Sequence, residues 1–491
     1  MSAIFGSGGV GTPVSEEIAK KWPVSEIDTK IIPLSKFKEI YGNDLSSLVK
    51  AYAAASFSDA STSAFTTVKE TQEFSQDHDL RRLLLEKTGG KPTVIPLKLK
   101  FPGKLPLHIV TDPACIRKIL KVSEQDDETG CYTNFEKATC PEAIKELYPE
   151  INISEEELSV VASIDKNKEY RESLSIIDFP SLYFSVFFIV QNIVDFSEEN
   201  FEGHLSNIHE LCNALTIGVI GRCIFGHNLD KENLIKLSKA TREIKEFLSE
   251  KKSEKFRDKI IEEYQSQARI ISSLTEKYLQ DETSVIGQMK VKGFTDAQIL
   301  LSVTRILFTA SDYLAEQLTF TLMHLALNPN LQQQIREEAC VVKQFYLTKK
   351  VSEESIRLLN VRFIFWRSLQ QDSVMIIRNK ETAYYYPHPI KKEEKLGCFT
   401  YYASRCPATF KEPEKFDIHN RQIRDDHNAF DFDNSSFPSE ALNNVVIQSV
   451  VNILLDSFTL STENKEAIPV YGKNFTRLKQ DFFATLTKIH S

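Results

Sequence analysis

Two stretches of the chain hold residue types from which catalysis or ligand binding could be built. Thr309-Ala-Ser-Asp-Tyr-Leu314 sets an acid and a phenol side by side in an apolar, helix-spaced run, with the small Ala310 and Ser311 beside them. An acid flanked by small residues on such a helix can line a cavity. Asp312 and Tyr313 are then its acid–base groups, and Ala310, Asp312 and Leu314 its wall. Read alone, the same segment gives Asp312 as a solvated residue. The second stretch is acidic: His419 and His427 stand near Asp417, Asp425 and Asp426. A solvated loop is the preferred reading there over a metal site, because mixed clusters of this kind are common on surfaces. The histidines show no HExxH or HxH spacing, so no metal centre is expected. The eight cysteines form no CxxC pair and suit reduced intracellular thiols better than a disulfide framework. No GxSxG or Walker A pattern occurs. Gly6-Ser-Gly-Gly-Val-Gly11 formally matches GxGxxG, but five residues precede it and Pro13 follows closely. Residues 1–30 are therefore read as a flexible N-terminal segment.

The elements that must position such residues can be read from local signals. Thr295-Asp-Ala-Gln298 is a capping box, and Ile299, Val303, Ile306, Leu307, Ala310, Leu314, Leu318, Leu322 and Leu325 recur at helical spacing. This predicts one long helix from Thr295 to Leu327, stopped by Asn328-Pro329. Further helices are predicted over Leu205–Phe225, Lys231–Glu250 and Glu254–Leu279. Strands are predicted at Thr93–Lys100 and Leu107–Thr111, and a helix at Ala114–Leu120 after Asp112-Pro113. The C-terminal quarter mixes short strands with irregular stretches. No internal repeat or low-complexity linker interrupts the chain, which favours one domain over 31–491.

With 42% apolar and 10% aromatic residues over 491 positions, the chain can bury a large core. A net charge of -8 and a pI near 5.8 argue against nucleic acid as a partner. The N-terminus lacks the basic start and apolar run of a signal peptide. The apolar stretch Leu182–Val194 contains Gln191 and Asn192 and falls short of the roughly 20 residues a membrane span needs. A cytoplasmic protein without a transmembrane anchor is expected.

Several segments, in order, resemble one known family. Phe308 to Pro329 resembles the distal helix of the cytochrome P450 haem-thiolate monooxygenases, and Asn330–Ala339 the helix after it. Leu358 to Arg378 sits where that family has its Glu-x-x-Arg helix. Ala403-Ser-Arg-Cys-Pro-Ala-Thr-Phe-Lys-Glu-Pro-Glu-Lys-Phe-Asp417 resembles the segment before the haem loop. Phe430 to Leu442 resembles the loop itself, and Val445–Phe458 the helix that carries it. Upstream, Leu211–Gly226 and Val110–Leu120 resemble two further family elements. The resemblance covers about residues 90–490. It implies a mainly α (α+β) fold of the P450 type, with a long central helix and small peripheral β-sheets.

The same alignment implies that the chemistry has departed. Phe437 falls at the iron-ligand position, and no cysteine follows Cys406. The family's chemistry needs a thiolate on iron to drive O–O cleavage. Asp431, Asp433 and Ser439 replace glycines of the loop. The Glu-x-x-Arg slots fall on Arg367 and Gln370, and the proton-delivering threonine on Tyr313. Arg378 matches a position that often faces a haem propionate, while Tyr170 and Leu174 align weakly with another propionate pattern. The resulting expectation is a pseudoenzyme without cofactor or metal. It would act by binding, as a helper for a partner enzyme or as a carrier of a small apolar molecule. The alternatives are an oxidoreductase holding haem through a non-standard ligand, or a different catalysis in the remodelled cavity.

Overall fold

The computed structural model describes residues 12–13, 27–33, 65–67, 97–100, 107–113, 115–116, 131–133, 145, 147–162, 168–174, 185–190, 205–249, 254–342, 345–359, 364–369, 371–379, 384–392, 394–405, 410–419, 440–463, 469–471, 476–478 and 482–489. Its helices are α1 (Glu155–Ala162), α2 (Lys168–Leu174), α3 (Ile208–Phe225), α4 (Lys231–Ser249), α5 (Glu254–Tyr278), α6 (Val285–Val291), α7 (Asp296–Leu327), α8 (Pro329–Val342), α9 (Tyr346–Leu359) and α10 (Glu440–Ser457). Its strands are β1 (Thr12–Pro13), β2 (Ile27–Pro33), β3 (Phe65–Thr67), β4 (Leu97–Lys100), β5 (Leu107–Val110), β6 (Cys131–Thr133), β7 (Leu205–Asn207), β8 (Ile364–Leu369), β9 (Ser373–Asn379), β10 (Tyr384–Ile390), β11 (Lys395–Phe399), β12 (Phe458–Ser461), β13 (Pro469–Tyr471), β14 (Thr476–Leu478) and β15 (Phe483–Lys488). This is the helix-rich plan with small sheets that the sequence predicts. The Gly6–Gly11 motif lies outside the described residues.

The chain divides into two compact units of interleaved segments. Unit 2 comprises Phe135–Ile356, Asp433–Pro469 and Leu478–Ser491. It is organised around α7, whose 32 residues make a rod of about 48 Å at 1.5 Å per residue. The capping box forms as predicted: Gln298 N–H donates to Thr295 Oγ1 (3.2 Å), and Thr295 N–H donates to Gln298 Oε1 (3.0 Å). The helix is buried on several faces at once, with Ile299, Leu307, Phe308, Leu314, Leu318 and Leu325 all fully buried. A helix in that position must satisfy its polar side chains internally. Thr304, Thr319 and Thr321 do so by donating to the carbonyls of Leu300, Ala315 and Gln317, and Tyr148 and Thr304 share a 2.7 Å hydroxyl bond.

Helix α3 packs along α7 and ends at Gly226, whose φ of 74° requires a residue without a Cβ. The prediction began this helix at Leu205, but Leu205–Asn207 form β7, and Asn207 caps the helix with its side-chain oxygen. The local pattern could not show that these three residues pair with β15 in a sheet ordered β12-β15-β7. Among the described residues α3 is the one helix long and apolar enough to cross a membrane, and 67% of it is buried inside the protein, as a core helix is.

Unit 1 comprises Met1–Asn134, Arg357–Phe432 and Val470–Arg477. It holds a four-stranded sheet ordered β1-β10-β9-β2 and a six-stranded sheet ordered β3-β4-β5-β11-β8-β6. In the second sheet β11 runs parallel to β5 and antiparallel to β8, so it is paired on both sides. That explains the apolar run Leu396 to Phe399, buried throughout.

Candidate functional site

A buried polar construction is set on α9. Its register turns Val351, Ser352, Glu354, Ser355, Arg357 and Leu358 inward, so the buried face carries two charged residues. Glu354 and Arg357 stand one turn apart and are 5% and 1% exposed. Ser355 donates to the Val351 carbonyl within α9 and meets His324 Nδ1 of α7 at 3.0 Å.

Arg357 is the first residue of its segment of unit 1 and gathers that unit's chain around it. Nη1 donates to the carbonyl oxygens of Ser404 (3.0 Å) and Pro413, and Nη2 to that of Lys415 (3.0 Å). The guanidinium also lies 4.6 Å from the Phe410 ring centroid. A second cation, Arg405, is 9% exposed and donates to Glu414 Oε2 (3.1 Å) and to the Leu358 carbonyl. It stacks 4.0 Å above Tyr401, within an aromatic cluster of Phe399, Tyr401 and Tyr402. Taking a guanidinium out of water costs several kcal/mol unless its N–H groups are all matched. Around Arg357 three carbonyls and a ring meet part of that cost, and they tie Ser404, Phe410, Pro413 and Lys415 to one side chain.

The comparison with protein families falls on this region. Residues 189–422 match the family model of cytochrome P450. The match supports membership of the cytochrome P450 family, and with the helical plan and small sheets it establishes a P450-like fold.

Two expectations change. The P450 family normally binds haem, so the match overturns the expectation of a protein without cofactor. Arg367 and Gln370 are also displaced from the Glu-x-x-Arg helix. The helix ends at Leu359, and Arg367 lies in strand β8, opposite Leu396 of β11 and Thr133 of β6. Gln370 lies outside the described residues. Among the described residues of this region, the helical Glu-x-x-Arg is Glu354-Ser-Ile-Arg357, about 13 residues earlier. The literal motif was available in the sequence. The β-branched and aromatic run Phe363-Ile-Phe-Trp366 was the sign that the helix had already ended.

The other named positions fall as follows. Leu314 is fully buried in the core and Tyr313 is half-buried on α7. Ala310 and Asp312 belong to the same helix, with side chains outside the described set. Arg378 occupies β9, in register with Asp28 of β2 and Tyr385 of β10. Tyr170 is buried on α2. Phe437, Asp431, Asp433, Ser439 and His427 lie outside the described residues. His419 is exposed, and its N–H donates to Asp417 Oδ1 (2.8 Å), as in a solvated turn.

The donor chemistry separates scaffold from ligand. The four described cysteine thiols, Cys115, Cys212, Cys223 and Cys398, are all buried. Burial pushes the Cys223 thiol up to about 12 and raises that of Cys212 further, so neither supplies a thiolate. The loop Phe430–Leu442 contains no cysteine and no histidine. The buried Glu-x-x-Arg scaffold fits a haem protein of this family; the donor set does not fit thiolate ligation from that loop.

Proposed function

We propose that this chain is a haem-binding relative of the P450 monooxygenases in which the iron has no loop thiolate, and that it works through binding rather than thiolate-driven oxygen activation. The role that suits it is helper subunit for a partner enzyme, or carrier of a small apolar molecule in the family's substrate space. The reading rests on one observation: the family's Glu-x-x-Arg helix is built to full burial at Glu354 and Arg357 while the ligand position carries Phe437. A buried guanidinium is kept only where its surroundings satisfy it, so Arg357 marks a scaffold still assembled in the family's manner. Bound haem would supply a redox-active iron. Without thiolate push, cleavage of an O–O bond at that iron is disfavoured.

The test is an absorption spectrum of the purified full chain titrated with haemin. The expected result is saturable uptake at one haem per chain with a Soret band. After reduction, carbon monoxide should not produce the red-shifted band of thiolate-ligated haem. Failure of the folded chain to take up haem overturns haem binding, and a thiolate band overturns the altered ligation. Phe437→Cys should gain that band.

A further inference from the structure

Unit 1 contains a buried chain of three titratable groups outside the site described above. His108 is on β5 of the six-stranded sheet and His388 on β10 of the four-stranded sheet, 280 residues apart in sequence. Glu394 ends the turn that leads from β10 into β11. Their relative exposures are 0%, 4% and 4%. His108 Nδ1 lies 2.7 Å from His388 Nε2, and His108 Nε2 lies 2.8 Å from Glu394 Oε2. The rings meet edge to face, with centroids 4.9 Å apart and planes at 82°. Glu394 Oε2 also accepts from the Lys391 N–H (2.8 Å), which fixes the carboxylate within its turn.

We propose that His108, His388 and Glu394 form a pH-sensitive latch that joins the two sheets of unit 1 and releases in mild acid. The argument is a proton count. A nitrogen–nitrogen contact of 2.7 Å holds one hydrogen, donated by one ring and accepted by the other. The Glu394 carboxylate takes the hydrogen on His108 Nε2. The closed latch therefore carries at most one imidazolium, and a second would set two N–H groups against each other. Once opened to water, both rings titrate near the ordinary histidine value of about 6.5 and both become charged. Opening in acid thus binds at least one extra proton. The closed state is favoured above about pH 6.5, and below it the opening equilibrium rises about tenfold per pH unit. The rise is about a hundredfold per unit if the closed rings are both neutral.

The neighbouring strands and the turn place the following residues beside the latch. In the ladders, β4 places Lys98 opposite His108 and β11 places Leu396 there, while β9 places Met375 opposite His388. The turn brings Lys391 and Lys392, and Asp372 of the β8–β9 connection accepts from the Lys392 N–H (2.9 Å). Glu394 is the acid bonded to the histidine pair. The second imidazolium remains the step the contact cannot accommodate.

Hydrogen–deuterium exchange of the full chain tests this, read on peptides covering 107–110 and 384–398 and corrected for intrinsic rates, from about pH 7.5 to about pH 5. In the wild type, opening of these peptides should rise about tenfold or more per pH unit below about 6.5, while α7 peptides stay protected. His388→Gln removes one titrating ring, and the amide can turn either its oxygen or its nitrogen to His108, so the pH slope should vanish. His108→Gln should flatten it likewise and serves if the first variant does not fold. Wild-type protection that is flat across this range overturns the latch, as does an equal slope in wild type and variant.

Discussion

Replacing Arg357 by leucine removes the donor that ties Ser404, Pro413 and Lys415 together. Three backbone carbonyls, of Ser404, Pro413 and Lys415, lose their guanidinium partner, and the cation over Phe410 disappears. A charge-assisted bond contributes about 1.5–3 kcal/mol, and removing one member of a buried charged group costs about 3–5 kcal/mol. Because the leucine recovers part of this by apolar burial, the net loss should be about 4 kcal/mol, a large share of the roughly 5–15 kcal/mol that holds a typical domain together. Urea unfolding followed by far-ultraviolet circular dichroism reads it directly. With a slope of about 3 kcal/mol/M, the midpoint should fall by about 1.3 M at unchanged slope. Arg357→Lys keeps the charge but offers a single ammonium where a planar fork serves three acceptors, so it should recover less than half of the loss. A midpoint for the leucine variant within about 0.3 M of wild type would refute the assignment of Arg357 as the organising residue of this segment.

Three other outcomes are expected. Gly287 packs against the chain at Asp281 so closely that an added Cβ would enter the Asp281 carbonyl, and Gly287→Ala should cost about 3 kcal/mol in the same unfolding assay. Glu157 accepts from Thr295 Oγ1 (2.6 Å) and from the Ser154 N–H (2.9 Å), and these bonds, the threonine's first, hold its carboxyl below the usual carboxylate range. Its contribution is present above the unfolded value of about 4.3 and is lost as pH falls through the lower folded value. Glu157→Gln should therefore flatten the acid side of a calorimetric melting profile, and an unchanged acid slope would contradict it. Finally, Cys115, Cys212, Cys223 and Cys398 should resist a thiol reagent in the native chain and react once the chain is unfolded in denaturant, as counted by mass spectrometry.

Several features were legible because their causes are local. The start of α7 is written in Thr295 and Gln298, its stop in Asn328-Pro329, and its burial in the apolar stripe between them; a cap needs only four residues and a stripe only one helix. The absence of any cysteine after Cys406 is a property of composition and holds whatever the fold. The family resemblance in residues 189–422 was likewise carried by ordered segments.

What the sequence left open depends on where distant segments meet. The resemblance placed a helix over Leu358–Arg378, whereas pairing of Ile364–Leu369 with β11 and β6 makes that part a strand and leaves Glu354 and Arg357 as the Glu-x-x-Arg pair on α9. The three carbonyls on Arg357 come from residues 404–415, and their convergence is a matter of chain path rather than spacing. His108 and His388 carried no local sign of each other. Periodicity and caps report the free energy of one element with water and with itself, whereas a bond across 280 residues exists only once two sheets have found their places.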